Sequence, residues 1–173
     1  LISIKDLDFE LNIEENGKNS LENAYIKAEA YYEKTKIPTL GMDVSLILEE
    51  LPEDKQIGTH IRRINGKYLT DKESIEYYTN LTKEYGGKLT AKWVYGLVIV
   101  NEKGVKRYTY SKDNFFFVDK PSNKINPGYP LDSISIIPKY NKYLVELTKE
   151  EREKLNEDNK KTEEVINFIV QNV

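Results

Sequence analysis

Two runs rich in β-branched and aromatic residues, 88–100 and 105–118, follow one another with only residues 101–104 between them. Residues of these types fit a pleated, half-buried surface, and a short connection ending in Gly104 turns the chain back on itself. The pair predicts a long antiparallel hairpin. A hairpin of that length is the spine of a sheet, and the rest of the chain must supply its cover.

The cover is legible from helix signals. Asn19, with Glu22 three residues on, opens a helix reaching about Lys36, with Leu21, Ala24, Tyr25, Ala28, Tyr31 and Tyr32 at helical spacing and Pro38 as its stop. Residues 39–48 then read as a strand, with Asp43 set among Leu40, Met42, Val44 and Leu46, and a polar acidic loop runs through Pro52. A second helix starts near Thr70 with Glu73, buries Ile75, Tyr78, Leu81 and Tyr85, and stops at Gly86 and Gly87. Proline, asparagine and glycine make 119–130 a loop before a short strand at 133–137. Thr148 with Glu151 opens a charged helix, and 162–173 closes the chain as a helix packed through Val165, Ile166 and Ile169. The expectation is an α/β fold with a mixed, largely antiparallel sheet flanked by helices.

Length and composition narrow the function. At 173 residues the chain is long enough for one core, and its 26 basic and 29 acidic residues are interspersed, leaving no electrostatic footprint for a nucleic acid. There is no cysteine and His60 is the lone histidine, so thiolate and multi-histidine metal sites are excluded and any metal must be a hard, oxygen-liking cation. No apolar stretch approaches a membrane span, and the cytoplasm is the expected location.

Glycine-rich phosphate loops, GxGxxG and serine elbows are absent, so carboxylates are the chemistry that remains. Glu14 and Glu15 stand before Gly17 and the first helix, and Asp43 lies inside an apolar strand. Acids brought together there would repel, and Mg²⁺ would relieve the repulsion while polarising a phosphate or a water. The plainer alternative is that a glutamate pair ahead of a helix simply favours its dipole. His60 reads as an exposed bystander, Arg62 and Arg63 as surface arginines, the tyrosines and Trp93 as packing, and 149–161 as a solvated helix.

The segment from Glu14-Glu15-Asn16-Gly17 through Glu22-Asn23-Ala24 to Lys27-Ala28 resembles the Glu-Glu-Thr-Gly, Glu-Asn-Ala and Lys-Ala block of the inosine/xanthosine triphosphate pyrophosphatases, which act on non-standard purine nucleotides. Asp43 falls on the second acid of that family's Asp-Asp-Ser-Gly strand. Residues 58–66, with Arg63, are similar to its Ser-Ala-Arg-Tyr run, Gly128-Tyr129-Pro130-Leu131-Asp132 to its Gly-Phe-Gly-Tyr-Asp loop, and 145–151 to its Ala-Glu-Leu-Ser/Thr-x-Glu-Glu motif. The resemblance implies an elongated sheet, two lobes with a cleft between them, a homodimer, and Mg²⁺-dependent cleavage of nucleoside triphosphates to monophosphate and pyrophosphate. It implies Glu14, Glu15 and Asp43 as metal ligands, Asp43 also as the base, and Lys27, Arg63, Gly128, Tyr129, Asp132 and Arg152 as substrate contacts. The chain departs from the pattern at Met42, which replaces the first acid, at Val44-Ser45, and at Asn156-Glu157-Asp158, where the family has Ser-His-Arg. Residues 1–173 therefore read as one such domain lacking the family's first strand and its Thr-Gly-Asn-x-x-Lys turn. A relative with impaired catalysis, kept as a nucleotide-binding or dimer-forming protein, is the rival expectation.

Overall fold

A computed structural model of the chain describes residues 2–157 and 161–173, with the side chains of all of them except Asp113 and Asn114. The hairpin forms as expected: β4 (Lys88–Asn101) pairs antiparallel with β5 (Gly104–Val118) along its whole length. The strand before them in the sheet, β1 (Thr39–Leu48), pairs antiparallel with β4 from Thr39↔Val100 to Leu48↔Ala91. Two short strands, β6 (Ser135–Ile137) and β7 (Lys142–Tyr143), complete a five-stranded antiparallel sheet in the order β1-β4-β5-β6-β7. A separate small hairpin, β2 (Arg63–Ile64) with β3 (Lys67–Tyr68), turns through Asn65 and Gly66, both at positive φ.

Helix α1 (Ser20–Thr35) packs on one face of the sheet, where Ala24 and Ala28 meet Val98 and Val100. The approach is close because Gly41 and Gly96 carry no side chain there: a Cβ on Gly96 would lie 2.5 Å from the Leu21 nitrogen, and one on Gly41 2.1 Å from the Ala24 carbonyl oxygen. Helix α2 (Asp71–Glu84) covers the opposite face, burying Tyr78 against Leu46, Leu48, Leu89, Phe115 and Phe117 in the larger of two apolar clusters. The predicted capping box of α2 is present, Thr70 and Glu73 each accepting the other's backbone N–H. At α1 the Asn19 side chain accepts from Glu22, but the Glu22 carboxylate turns to the Lys18 N–H, one residue earlier than a capping box requires.

Two further helices, α3 (Lys149–Glu157) and α4 (Lys161–Asn172), follow. In α4 the face turned to the sheet is Val165, Phe168 and Ile169, with the Phe168 ring 5.3 Å from that of Tyr108, while Ile166 is 53 % exposed. The expected packing through Ile166 is thus taken by Phe168, two positions along the helical face. Pro130–Ser133 forms a 3-10 turn, which delays β6 to Ser135. Among the described residues no helix is long and apolar enough to cross a membrane.

Candidate active site

The first turn of α1 is closed from outside the helix: Asn23 Oδ1 accepts the Gly17 N–H at 2.8 Å, which holds residues 14–17 against the helix start. Asn23 and Lys27, four residues apart, share one face of α1 and point at β1. There Asn23 Nδ2 donates to Asp43 Oδ2 at 3.3 Å, and Lys27 Nζ donates to Asp43 Oδ1 at 2.7 Å and to Glu15 Oε2 at 3.2 Å. Both oxygens of Asp43, whose side chain is 14 % exposed, are therefore engaged. This is how an acid is accommodated in an apolar strand: the desolvated charge is paired and hydrogen-bonded.

Two cavities flank Ile61 and Arg62, and Glu15 and Asn23 of this cluster line the first of them. A polar one of about 900 Å³ is lined by residues 12–16, by Asn23 and by residues 59–63. An apolar one of about 530 Å³ is walled by Trp93 and Tyr95 of β4, Phe115 of β5 and Val44 of β1, and closed by Tyr129, Leu131 and the α3 residues Arg152 and Leu155. Ile61 and Arg62 line both. Because successive strand residues point to opposite faces, Asp43 serves the α1 side of β1 while its neighbour Val44 serves the aromatic side. Met42 falls on the Val44 side, 47 % exposed, away from the lysine–acid cluster.

The aromatic walls are ordered by stacking. Trp93 lies on Phe115 with centroids 6.2 Å apart and 19° between planes, and Tyr95 on Tyr110 at 4.6 Å and 5°. Burial pushes the Tyr95 hydroxyl up to about 12, so it is a neutral group at physiological pH. The rim is tied down through Asp71 at the start of α2, which accepts the Gly128 N–H at 2.8 Å and Arg62 Nη2 at 2.6 Å. Those two contacts, the Gly128 amide first, hold the Asp71 carboxyl below the usual carboxylate range. Gly128 sits at φ +84 with open space where a Cβ would be. From beneath, the buried Tyr78 hydroxyl donates to the Ile61 carbonyl at 2.8 Å and fixes the shared wall.

Glu15, Lys27 and Asp43 are thus brought together. Glu14 lines the polar cavity outside that cluster, and Arg63 lines it too, exposed, with its guanidinium making no hydrogen bond or ion pair to the described residues. Gly128, Tyr129, Asp132 and Arg152 gather at the aromatic cavity instead. Tyr129 is 66 % exposed at its mouth; Asp132 accepts from Asn126 at 3.0 Å and lies 3.9 Å from Arg152, which also donates to the Leu144 carbonyl at 2.5 Å. Of the Asn156-Glu157-Asp158 stretch, Asn156 lines the aromatic cavity and Asp158 lies outside the described residues. Sequence reasoning gave no role at the site to Asn23, Tyr95 or Lys112, and set Arg62 and Trp93 aside as a surface arginine and a packing residue. Only Asn23 had a local signal, its spacing of four from Lys27 beside an apolar strand that carries an acid.

The donor set suits a hard cation. The Lys27 ammonium marks a point where two carboxylates already converge, and two carboxylates plus phosphate and water oxygens are the ligand set Mg²⁺ favours. Among the described residues no group of three acids or histidines forms a ready-made cage. Mg²⁺ at this place would be shared with a phosphate ligand and held by Glu15 and Asp43.

Fold and site together define a class: α/β proteins in which a long antiparallel sheet carries an acid–lysine cluster on one side of its edge strand and an aromatic cavity on the other. Within that class the chain belongs to the Ham1 family, whose model matches residues 1–168. It is similar to the dITP/XTP pyrophosphatase of Halalkalibacterium halodurans, 30% identical over 146 residues that make up 84% of this chain and 73% of that protein. The dITP/XTP pyrophosphatase of Malacoplasma penetrans is 28% identical over 159 residues, 91% of this chain and 78% of its own length. Among solved structures, the Mycobacterium abscessus nucleoside-triphosphatase / dITP/XTP pyrophosphatase shares the fold at a TM-score of 0.72 and 18% identity, covering 95% of this chain and 85% of that one. The Staphylococcus aureus Ham1 protein shares it at 0.67 and 23%, covering 84% and 72%.

Proposed function

We propose that this protein hydrolyses nucleoside triphosphates to the monophosphate and pyrophosphate with the help of Mg²⁺. The observation that carries the reading is the meeting of two unlike cavities at Ile61 and Arg62, one flat-walled and aromatic, the other polar and lined by Glu15, which pairs with Lys27, and Asn23, which donates to Asp43. A base fits the first and a phosphate chain the second, and the relatives named dITP/XTP pyrophosphatase support the reaction.

Bound Mg²⁺ would neutralise phosphate charge and lower the pKa of an attacking water. Lys27, released from Glu15 and Asp43, donates to a phosphate oxygen; Arg63, exposed in the lining of the polar cavity, takes the outer phosphates. Asp43, oriented by Asn23 Nδ2, accepts the proton of the water that breaks the bridge between the α and β phosphates. Trp93 and Tyr95 hold the base in the neighbouring cavity by stacking. Separating the products of inosine triphosphate and Mg²⁺ after incubation tests the reading: monophosphate and pyrophosphate in equal amounts support it, and diphosphate with free phosphate refutes it.

One observation favours a second reading, a nucleotide-binding relative without turnover. With Met42 on the far side of β1, Asp43 is the one acid that this strand contributes to the cluster, and no third carboxylate among the described residues joins it. The Mg²⁺ dependence of product formation separates the two.

A further inference from the structure

The aromatic cavity has three cations in its lining, Arg62, Arg152 and Lys112. Arg62 is paired with Asp71, and Arg152 faces Asp132 while donating to the Leu144 carbonyl. Lys112 differs: among the described residues its ammonium has no acid and no hydrogen-bond acceptor, and its contact is with the Tyr95 ring, 5.7 Å from Nζ to the centroid.

Its place in the cavity is the work of an irregularity in β5. Phe115 pairs with Ala91, but the next pair is Trp93 with Lys112, so that two residues of β5 oppose the single Lys92 of β4. Without that extra residue, strict alternation would send Lys112 to the face opposite Phe115. The bulge returns it to the same face, beside Trp93 and Tyr95, and re-aiming one side chain is a recurrent use of such bulges.

We infer that Lys112 is the residue that selects the base, favouring rings with a carbonyl oxygen at the edge it meets over rings with an amino group there. The inference rests on the aromatic cavity being the base site of the proposed function. An ammonium has three donors and no acceptor. It hydrogen-bonds the 6-carbonyl of hypoxanthine or xanthine, and it meets the 6-amino group of adenine donor to donor, leaving both partly buried and unsatisfied. Asp132, the carboxylate of the cavity, does not reverse the preference, since it is engaged by Asn126 and Arg152. The nearby tyrosine hydroxyls of Tyr95 and Tyr110 are held neutral by burial and offer the ammonium no compensating charge among the described residues.

The test is equilibrium binding of inosine and adenosine, nucleosides without phosphates, to the full chain and to Lys112→Met and Lys112→Arg, beside pyrophosphate release from the matching triphosphates. The wild type is expected to prefer inosine by roughly ten- to a hundredfold, the reach of one charge-assisted hydrogen bond. Lys112→Met should collapse that ratio toward one with an unchanged melting temperature, and Lys112→Arg should keep it. An unaltered ratio in Lys112→Met, or a folded wild type that binds neither nucleoside, overturns the inference. A wild type that selects inosine through Lys112 yet releases no pyrophosphate overturns the proposed reaction and leaves the selector in place.

Discussion

Lys27 on α1 and Asp43 on β1, 16 residues apart in sequence, are joined by a hydrogen bond of 2.7 Å across the helix–sheet interface. The bond makes the helix packing and the chemistry interdependent, because the same contact that docks α1 also orients the acid. Lys27→Met leaves the largely buried Asp43 carboxylate with only the Asn23 amide, and should cost about 1–3 kcal/mol in stability and raise the KM for a nucleoside triphosphate at least tenfold. Urea unfolding and steady-state kinetics on the same preparation read both effects.

Gly96 controls that interface from the sheet side. Alanine there would bring its Cβ to 2.5 Å from the Leu21 nitrogen, a backbone atom with little room to yield. Gly96→Ala should therefore lose more than about 3 kcal/mol by forcing α1 off the sheet, and lose activity with it. A variant that melts like the wild type would show that α1 does not sit this close.

The wall shared by the two cavities hangs on Tyr78. Its hydroxyl, pushed far up by burial, donates to the Ile61 carbonyl from a fully buried position. Tyr78→Phe leaves that carbonyl without its donor and should cost about 1–2 kcal/mol. Nucleotide affinity should fall as well, since Ile61 and Arg62 line both cavities; calorimetric titration with a nucleoside monophosphate checks this.

The start of α2 predicts a pH dependence. Lys67, together with the Thr70 N–H and hydroxyl, holds the Glu73 carboxyl down from 4.5 to about 2. A carboxyl depressed in the folded state contributes stability that is complete above about pH 4.5 and is lost as the pH falls toward 2. The stability gap between wild type and Glu73→Gln should hence be constant above pH 4.5 and close below it. A gap that persists at pH 2 would assign the cap to something other than the carboxylate.

How far the sequence could be read follows from which signals are local. The 88–118 hairpin, the stops at Pro38 and Gly86-Gly87, and the caps at Asn19 and Thr70 are all written within a few residues, and each appears in the fold. The acid in strand β1 was conspicuous against its apolar neighbours, and the structure sets it beside Glu15 and Lys27. The aromatic cavity was illegible, because the bulge opposite Lys92 changes the parity of β5 and no rule of alternation would place Lys112 with Phe115. Arg62 was read as a surface arginine for a similar reason: neighbouring arginines look alike in sequence, and it is the contacts to Asp71, Gly128 and the Leu69 carbonyl that distinguish the anchored Arg62 from the exposed Arg63. The Arg63–Ile64 and Lys67–Tyr68 hairpin is too short to leave a periodicity.

The most direct test of the account is pyrophosphate release from inosine, xanthosine and adenosine triphosphates by the wild type and by Asp43→Asn, each with and without Mg²⁺. The account predicts release by the wild type with Mg²⁺ alone, and a loss of at least about a hundredfold in a folded Asp43→Asn protein, the scale expected on removing a general base. Equal turnover by the two proteins, or silence from a folded wild type with every triphosphate, would contradict it.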